Sequence, residues 1–301
     1  MAGSFTAVDL AKLPFPDAVD PLDFETIVAE MLADYQSRDP AFSALVESDP
    51  SYKVLEVAAY RELLLRQRVN EAIKAVTLAY AAGSDLDQIA ARYNVQRLLI
   101  DAGNPDAIPP VEPTYEGDES LRRRVQLSFE GFSTAGPRGA YIFHSLGADA
   151  RVLDADAYGP PETPGVVRVA VLSNEGTGLA PPDLLEAVDL ALSADDIRPL
   201  TDDVVVESAV IVNYTVVATL TLYDGPDSEV VLLAARTELA AYIELNRKLG
   251  RDVTLSGLYH ALHQEGVQNV TLTSPVASVV TAWNQSAFCT SSSVEVGGTD
   301  E

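Results

Sequence analysis

Two histidines, His260 and His263, have the spacing that would let them bind one metal ion together. They are three residues apart, and side chains at that spacing lie on the same face of a helix. A protein metal site needs at least one further ligand, and no nearby His or Cys and no H-E-x-x-H motif supplies it. Glu265 follows His263 by two residues and would point elsewhere on a helix. We therefore expect two ordinary histidines here and no metal site.

The other residues that could do chemistry are scattered along the chain. His144 stands alone in the apolar segment YIFHSLG, where a hydrogen bond to nearby backbone explains it. A Ser-His-Asp triad leaves no compact signature, but the G-x-S-x-G motif is missing. Gly176-Thr177-Gly178 lacks the third glycine of a dinucleotide loop, and no G-x-x-x-x-G-K-[ST] phosphate loop exists. Three acidic pairs could bind cations, although solvated charge explains them at turns and domain edges: Asp118-Glu119, Asp195-Asp196 and Asp202-Asp203. We predict no enzymatic activity, no catalytic residue and no cofactor.

The charge balance restricts the partners. The 301 residues include 45 Asp plus Glu against 20 Lys plus Arg, a net charge of −25. Binding to phosphates requires clustered cations, so we expect neither nucleic acid nor an anionic membrane surface as a partner. Arg122-Arg123-Arg124 is the one local exception, and we expect it to be a solvated helix face or a salt-bridge donor.

Cysteine content and apolar runs indicate the compartment. Cys289 is the single cysteine, which rules out a disulfide within the chain and fits a reducing cytoplasm. The first residues lack the basic start and apolar core of a secretory signal, and no apolar run reaches 18 residues. We therefore expect neither secretion nor a membrane span.

The element that dominates the predicted structure is a long helix from about Pro50 to Ala82. Asp49-Pro50 provides its start and Gly83 its stop, for a length of roughly 50 Å at 1.5 Å per residue. Residues placed 100° apart produce a first apolar face, consisting of Val54, Leu55, Ala58, Leu65, Val69, Ala72, Ile73, Val76 and Tyr80. A second apolar face consists of Val57, Tyr60, Leu64, Ala75 and Leu78. A helix with two apolar faces needs partners on two sides, and pattern alone does not decide whether they come from this chain or from another.

The rest of the chain completes an α+β protein of several domains. An amphipathic helix follows the cap Asp20-Pro21, and a short capped helix begins at Ser84. Residues 101–117 contain four prolines and two glycines and predict a linker. From residue 150 onward the apolar period changes to that of strands and predicts a β-β-α-β unit followed by a β-α-α-β unit. We expect the polar tail SSSVEVGGTDE to fray beyond Val296. The predicted domains are a helical N-terminal domain with the long helix at 1–100, the linker at 101–117, and two small α+β domains at 118–209 and 210–301.

Several long stretches resemble a known family. They are ESDPSYKVLEVAAYRELLLRQRVNEAIKAVTLAYAAGSDLDQIAARYNVQR at 47–97, DESLRRRVQLSFEGFSTAGPRGAYIFHSLGADARVLDA at 118–155, GVVRVAVLSNEGTG at 165–178, IRPLTDDVVVESA at 197–209 and LGRDVTLSGLYHALHQEGVQNVTLTSP at 249–275. In this order they are similar to the baseplate assembly protein J family, from about Phe15 to Thr290. That family supplies wedge proteins to the baseplates of contractile phage tails and related injection systems.

The resemblance implies a structural function. Such a chain would pack with a second copy of itself and a shorter baseplate wedge protein, through a bundle that contains the first apolar face. The wedges would ring the hub, meet hub and sheath-initiator proteins, and help to trigger sheath contraction in a virion tail assembled in the host bacterial cytoplasm. Residues 101–117 would then be a joint, because one sequence must take two arrangements.

Two other functions compete with this interpretation. The first is a host- or carbohydrate-binding tail module, against which the single tryptophan, Trp283, and the lack of aromatic clusters argue. The second is a hydrolase that uses scattered carboxylates, for which no motif exists.

Overall fold

The structure is a computed structural model that describes residues 8, 10–14, 16, 22–38, 46–133, 135–225 and 227–300. The prediction of an α+β fold with a helical N-terminal region is confirmed, since eight α-helices and three small sheets occupy the described residues. The predicted cap Asp20-Pro21 lies outside them. The chain forms two compact units, a helical unit of Thr6–Gln96 with Gly117–Val125, and an α+β unit that holds Arg97–Glu116 and Gln126–Glu301.

The helical unit is built on α1 (Phe24–Arg38), α2 (Pro50–Ala75) and α3 (Gly83–Ala91). Pro50 occupies the first turn of α2 after an extended Asp49, as the sequence predicts. Ile27 and Val28 of α1 are buried against Ala59 of α2, and this small cluster is the core that joins the two helices. One narrow stripe of α2 is thereby covered.

The long helix is shorter than predicted. It ends at Ala75 instead of Ala82, so its 26 residues span about 39 Å. Beyond it, the carbonyl oxygens of Leu78 and Ala81 accept hydrogen bonds from the Arg122 guanidinium at 2.8 and 2.7 Å. An arginine more than forty residues away therefore stabilises a non-helical path that the local sequence does not reveal. Gly83, predicted as the helix stop, begins α3 with φ of +53°.

The expectation of a solvated arginine run is also wrong for two of its members. The run lies on α4 (Asp118–Gly131), whose first half belongs to the helical unit. Arg122 bonds the two carbonyls after α2, and the buried Arg124 donates to the carbonyl oxygen of Gln96. These guanidinium groups are satisfied by backbone carbonyls within the unit, and so they stabilise the fold.

Residues 97–116, within the α+β unit, form a two-stranded excursion that we call the ribbon. Its strands are β1 (Leu99–Asp101) and β2 (Thr114–Tyr115), which are antiparallel with Leu99 opposite Tyr115. Asn104 and Val111 exchange two backbone hydrogen bonds at 2.8 and 3.0 Å farther along. The segment 101–117, which the sequence assigns to a linker, holds most of this ribbon.

The middle of the chain folds as predicted into a β-β-α-β arrangement preceded by helices. Antiparallel β3 and β4 are followed by β5, which pairs in parallel with β4 to give the sheet order β3-β4-β5. The core joins this sheet to two helices through residues such as Val169, Leu184 and Val188. The bounds are α5 Arg138–Ala148, β3 Val152–Tyr158, β4 Val166–Ser173, α6 Pro182–Leu192 and β5 Asp203–Ser208.

The C-terminal part contains one strand more than predicted. The sheet order is β7-β6-β8, and β8 (Gln285–Thr299) pairs in parallel with the whole of β6 (Val210–Leu222). The expectation that the tail frays beyond Val296 is therefore wrong, because pairing with a long apolar strand organises a polar sequence. Two helices cover one face of the sheet around Leu220, Leu239 and Leu258. The remaining bounds are α7 Ser228–Asn246, α8 Leu255–Leu262 and β7 Val267–Ser274.

Direct contacts join the middle and C-terminal parts of the α+β unit. The backbone N–H of Leu249 donates to the buried Asp154 carboxylate at 2.9 Å. The rings of Tyr158 and Trp283 lie 5.3 Å apart between centroids. The two predicted α+β domains thus share polar and aromatic contacts.

Candidate assembly interface

The first apolar face of α2 remains largely open to solvent. Leu65 and Val69 are 65% and 53% exposed, and Val54 and Val76 are exposed to a similar degree. Of the other residues predicted on this face, Ala58 and Ala72 are also exposed, and Leu55, Ile73 and Tyr80 are half-buried. Val76 and Tyr80 lie beyond the end of α2, so the helical part of the face ends at Ile73. A row of aliphatic side chains along one side of α2 therefore has no cover from the described residues of this chain.

The second apolar face is open as well. Val57, Tyr60 and Leu64 are exposed, and Ala75 and Leu78 are half-buried. Single exposed apolar side chains are ordinary on soluble proteins, but contiguous apolar patches mark interaction sites. Two such faces on one helix, with only the Ala59 stripe occupied by α1, favour partners on both sides.

Two ion pairs link side chains along the surface of α2. Arg66 donates from Nε to Glu62 Oε1 at 2.9 Å, in the i, i+4 order that favours such a pair on a helix. Lys53 pairs with Glu56 at 2.8 Å, and the pKa of Lys53 is raised chiefly by that hydrogen bond. Exposed pairs of this kind add only tenths of a kcal/mol each. They therefore make only a small addition to the stability of α2.

The histidine pair is not arranged to hold a metal. Helix α8 ends at Leu262, so His260 lies in its last turn and His263 is the residue after its end. Both side chains are exposed. Within the described ranges, no three His, Cys, Asp or Glu side chains come together in a group that could bind a metal ion.

His144 and one member each of two acidic pairs take part in structural contacts. The His144 ring lies edge-on to Phe143 at 5.2 Å, and burial lowers its pKa even though a hydrogen bond to the Gly131 backbone opposes that shift. Asp202 accepts the Tyr141 hydroxyl at 2.6 Å, and Asp118 accepts the Gly83 N–H at 3.0 Å. These carboxylates stabilise turns and helix ends, and they do not converge on a shared cleft.

Arginine–carboxylate pairs lie in and beside the middle sheet. Arg138 forms a two-pronged contact with Asp156, which is almost fully buried on β3. Arg151 bonds both Asp149 and Asp183, and the pKa of Asp149 is lowered mainly by its hydrogen bond to Arg151. Such bidentate pairs satisfy the hydrogen-bonding groups of both partners.

Sequence reasoning missed the exposed apolar residues of the ribbon. Leu99, Ile100, Val111 and Tyr115 are about half exposed, and Ile108 is fully exposed. Their segment shows neither helical nor strand periodicity, and its prolines indicated a linker instead. The signal that could have found them is the presence of five large apolar side chains in a segment too short to bury them.

Comparison with known proteins gives consistent matches. A family model described as Baseplate J-like N-terminal domain matches residues 47–104, and a second, Baseplate J-like central domain, matches residues 133–208. Baseplate protein J of Escherichia phage P2 is 48% identical over 301 residues, which span 98% of this chain and 99% of that protein. The first match contains α2 with both of its apolar faces. None of the helices in the described residues has the length and apolarity that crossing a bilayer requires.

Proposed function

The chain belongs to the Baseplate J-like family, and on that premise we propose that it is a wedge subunit of a contractile phage tail. Membership makes it a structural component of a phage tail baseplate. In the proposed wedge it packs with a second copy of itself and a shorter wedge protein, after synthesis in the bacterial cytoplasm. The wedges ring the hub and help to trigger contraction of the sheath.

The open first apolar face of α2 is the observation that carries this proposal. Val54, Leu65 and Val69 lie on one side of α2, three turns and one turn apart, and are more than half exposed. Apolar side chains repeating at this spacing favour helix-on-helix packing, because the ridges of one helix fit the grooves of another. The second face, around Val57 and Leu64, gives the same helix a second partner. Two open faces suit a bundle of three chains.

The proposal assigns no catalytic role to the chain. Arg138 and Asp156, for example, bond each other. The alternative of a carbohydrate-binding tail module gains no support from Trp283, because that ring lies against Tyr158 instead of standing open for stacking.

Co-expression tests the proposed wedge. The chain is produced together with the shorter wedge protein of the same phage, and the purified complex is weighed by native mass spectrometry. We expect one species that contains two copies of this chain and one of the partner. A chain that remains monomeric in the presence of the partner would refute the proposed wedge.

A further inference from the structure

The ribbon begins and ends at the same place. Arg97 Nη1 donates to the carbonyl oxygen of Glu116 at 2.7 Å, and the N–H of Leu98 donates to the Glu116 carboxylate at 2.9 Å. The N–H of Glu116 returns a bond to the carbonyl of Leu98 at 3.0 Å. Because its two ends are held together, the ribbon spans no distance between parts of the chain. Its side chains instead form an exposed surface of the α+β unit.

The outer part of the ribbon is built to hold one shape. Gly103 has φ of +66°, and a Cβ at this position would lie 2.3 Å from the Val111 carbonyl oxygen, so glycine is required. Its N–H donates to Asp101 Oδ1 at 2.9 Å, and the N–H of Asp106 donates to Asn104 Oδ1 at 3.0 Å. These side-chain bonds to backbone are those of stable Asx turns. The turn that carries Ile108 is therefore preorganised.

This rigid ribbon displays apolar side chains without a core of its own. Leu99 and Tyr115 face each other across the two strands, yet each remains about half exposed. Ile108 is fully exposed next to Pro109 and Pro110. A lone two-stranded hairpin is only marginally stable in water, and exposed apolar residues on one normally mark a contact surface.

The charge of the ribbon selects the kind of partner. Asp101, Asp106 and Glu112 are exposed on it, and the sequence holds no Lys, Arg or His between Arg97 and Arg122. A second copy of this chain carries a net charge of −25 and would add repulsion on approach. A partner surface with an apolar centre and a rim of cations would complement both the exposed apolar side chains and the acidic side chains of the ribbon.

We propose that the ribbon is a docking element that inserts Ile108 into an apolar cleft rimmed by Lys and Arg on a different protein of the baseplate. The acidic side chains around Ile108 steer and orient the encounter, and the rigid turn reduces the entropy lost on binding. The inference rests on the proposed function in one respect only, because the partner is sought within the assembled tail.

Site-specific photo-crosslinking in assembled tails tests this inference. The chain is produced with p-benzoylphenylalanine at position 108 during phage growth, and tails are purified and irradiated. The matched control places the same probe at position 200, where Leu200 is equally exposed outside the ribbon. We expect the probe at position 108 to crosslink one different polypeptide at a yield about tenfold above that at position 200. Mass spectrometry should place the crosslink beside Lys or Arg residues that flank apolar ones.

Three outcomes are separable in this experiment. A crosslink from position 108 to another copy of this chain overturns the choice of partner. Incorporation into tails without a crosslink above the control level overturns the docking role while leaving the proposed wedge intact. Absence of even the wild-type chain from purified tails refutes the proposed function itself.

Charge reversal supplies a second arm of the test. In the crosslinking chain, Asp106→Lys with Glu112→Lys should lower the yield at least about tenfold. The control Asp195→Lys with Asp196→Lys makes the same change of charge at an exposed pair outside the ribbon and should leave the yield unchanged. Exclusion of the ribbon variant from tails that accept the control also supports the proposal. An unchanged yield with the reversed ribbon overturns the requirement for a cationic rim.

Discussion

Replacing Val69 by aspartate should prevent wedge assembly and leave the free chain folded. Val69 is 53% exposed, so burial of the remaining half in a helical bundle would contribute about 1 kcal/mol. An aspartate there loses that contribution and must also leave water without a partner, which costs several kcal/mol more. The sum is about 4 kcal/mol, so the dissociation constant of the complex should rise about a thousandfold.

The matched control lies on α1. Ala33 is exposed there, and α1 packs on α2 through Ile27 and Val28. Ala33→Asp introduces the same charge into the helical unit, on a different helix from the two apolar faces. It should change the dissociation constant less than threefold. A third variant, Val69→Ala, removes only part of the side chain and should weaken the complex about fourfold.

The measurement combines binding with folding. Dissociation constants of the complex with the shorter wedge protein are compared by sedimentation, and the free chains are unfolded in urea. The free energy of unfolding should differ from wild type by no more than about 0.5 kcal/mol for Val69→Asp, as for other surface changes. If Val69→Asp binds as well as Ala33→Asp, the first apolar face is not an interface. Val57→Asp, made in parallel, tests the second face in the same way.

Three further predictions concern the fold. Arg122→Ala leaves two backbone carbonyls without their charged donor and should lower the free energy of unfolding by about 3 kcal/mol in urea titrations, whereas unchanged stability would show that water replaces the guanidinium. Burial lowers the pKa of His144, so the imidazole binds a proton more readily in the unfolded chain than in the folded one. The free energy of unfolding should therefore decrease as the pH drops below about 6.5. His144→Gln should abolish this decrease, and its persistence in the variant would contradict the prediction. Deleting residues 285–301 removes β8 and uncovers the long edge of β6, so the C-terminal part should become protease-sensitive. Deletion of 300–301 removes the Asp300 N–H bond to the Leu222 carbonyl but leaves the β6–β8 ladder, and it should have a much smaller effect.

The sequence was most informative where local preference and tertiary packing agree. The Val, Ile and Thr run of β6 predicts a strand that the structure contains, and Asp49-Pro50 predicts the start of α2 at the observed residue. The candidate interface could be listed from helical periodicity alone, because the 100° spacing places Leu65 and Val69 together. Their exposure could not be predicted, because periodicity does not tell which apolar face the same chain covers.

The predictions that were wrong concern segments in which long-range contacts override the local sequence preference. Apolar residues continue the helical pattern past Ala75, but α2 ends there. Arg122 donates a hydrogen bond to a backbone carbonyl of the non-helical segment that follows. The polar stretch near Ser292 has weak strand preference, and it is extended because Val216 and its neighbours on β6 offer a complete ladder. In both cases the deciding group lies many residues away.

The passage from β5 to β6 has a mechanical consequence. A single residue, the buried Ala209, separates the end of β5 at Ser208 from the start of β6 at Val210, so one backbone runs from the first sheet into the second. β5 is paired along its six residues with β4, and β6 is registered with β8 at thirteen positions. A pull along this backbone loads both ladders parallel to the strands, so their hydrogen bonds resist together instead of opening one by one. Tension applied at one end of this unit would therefore be transmitted to the other end with little extension.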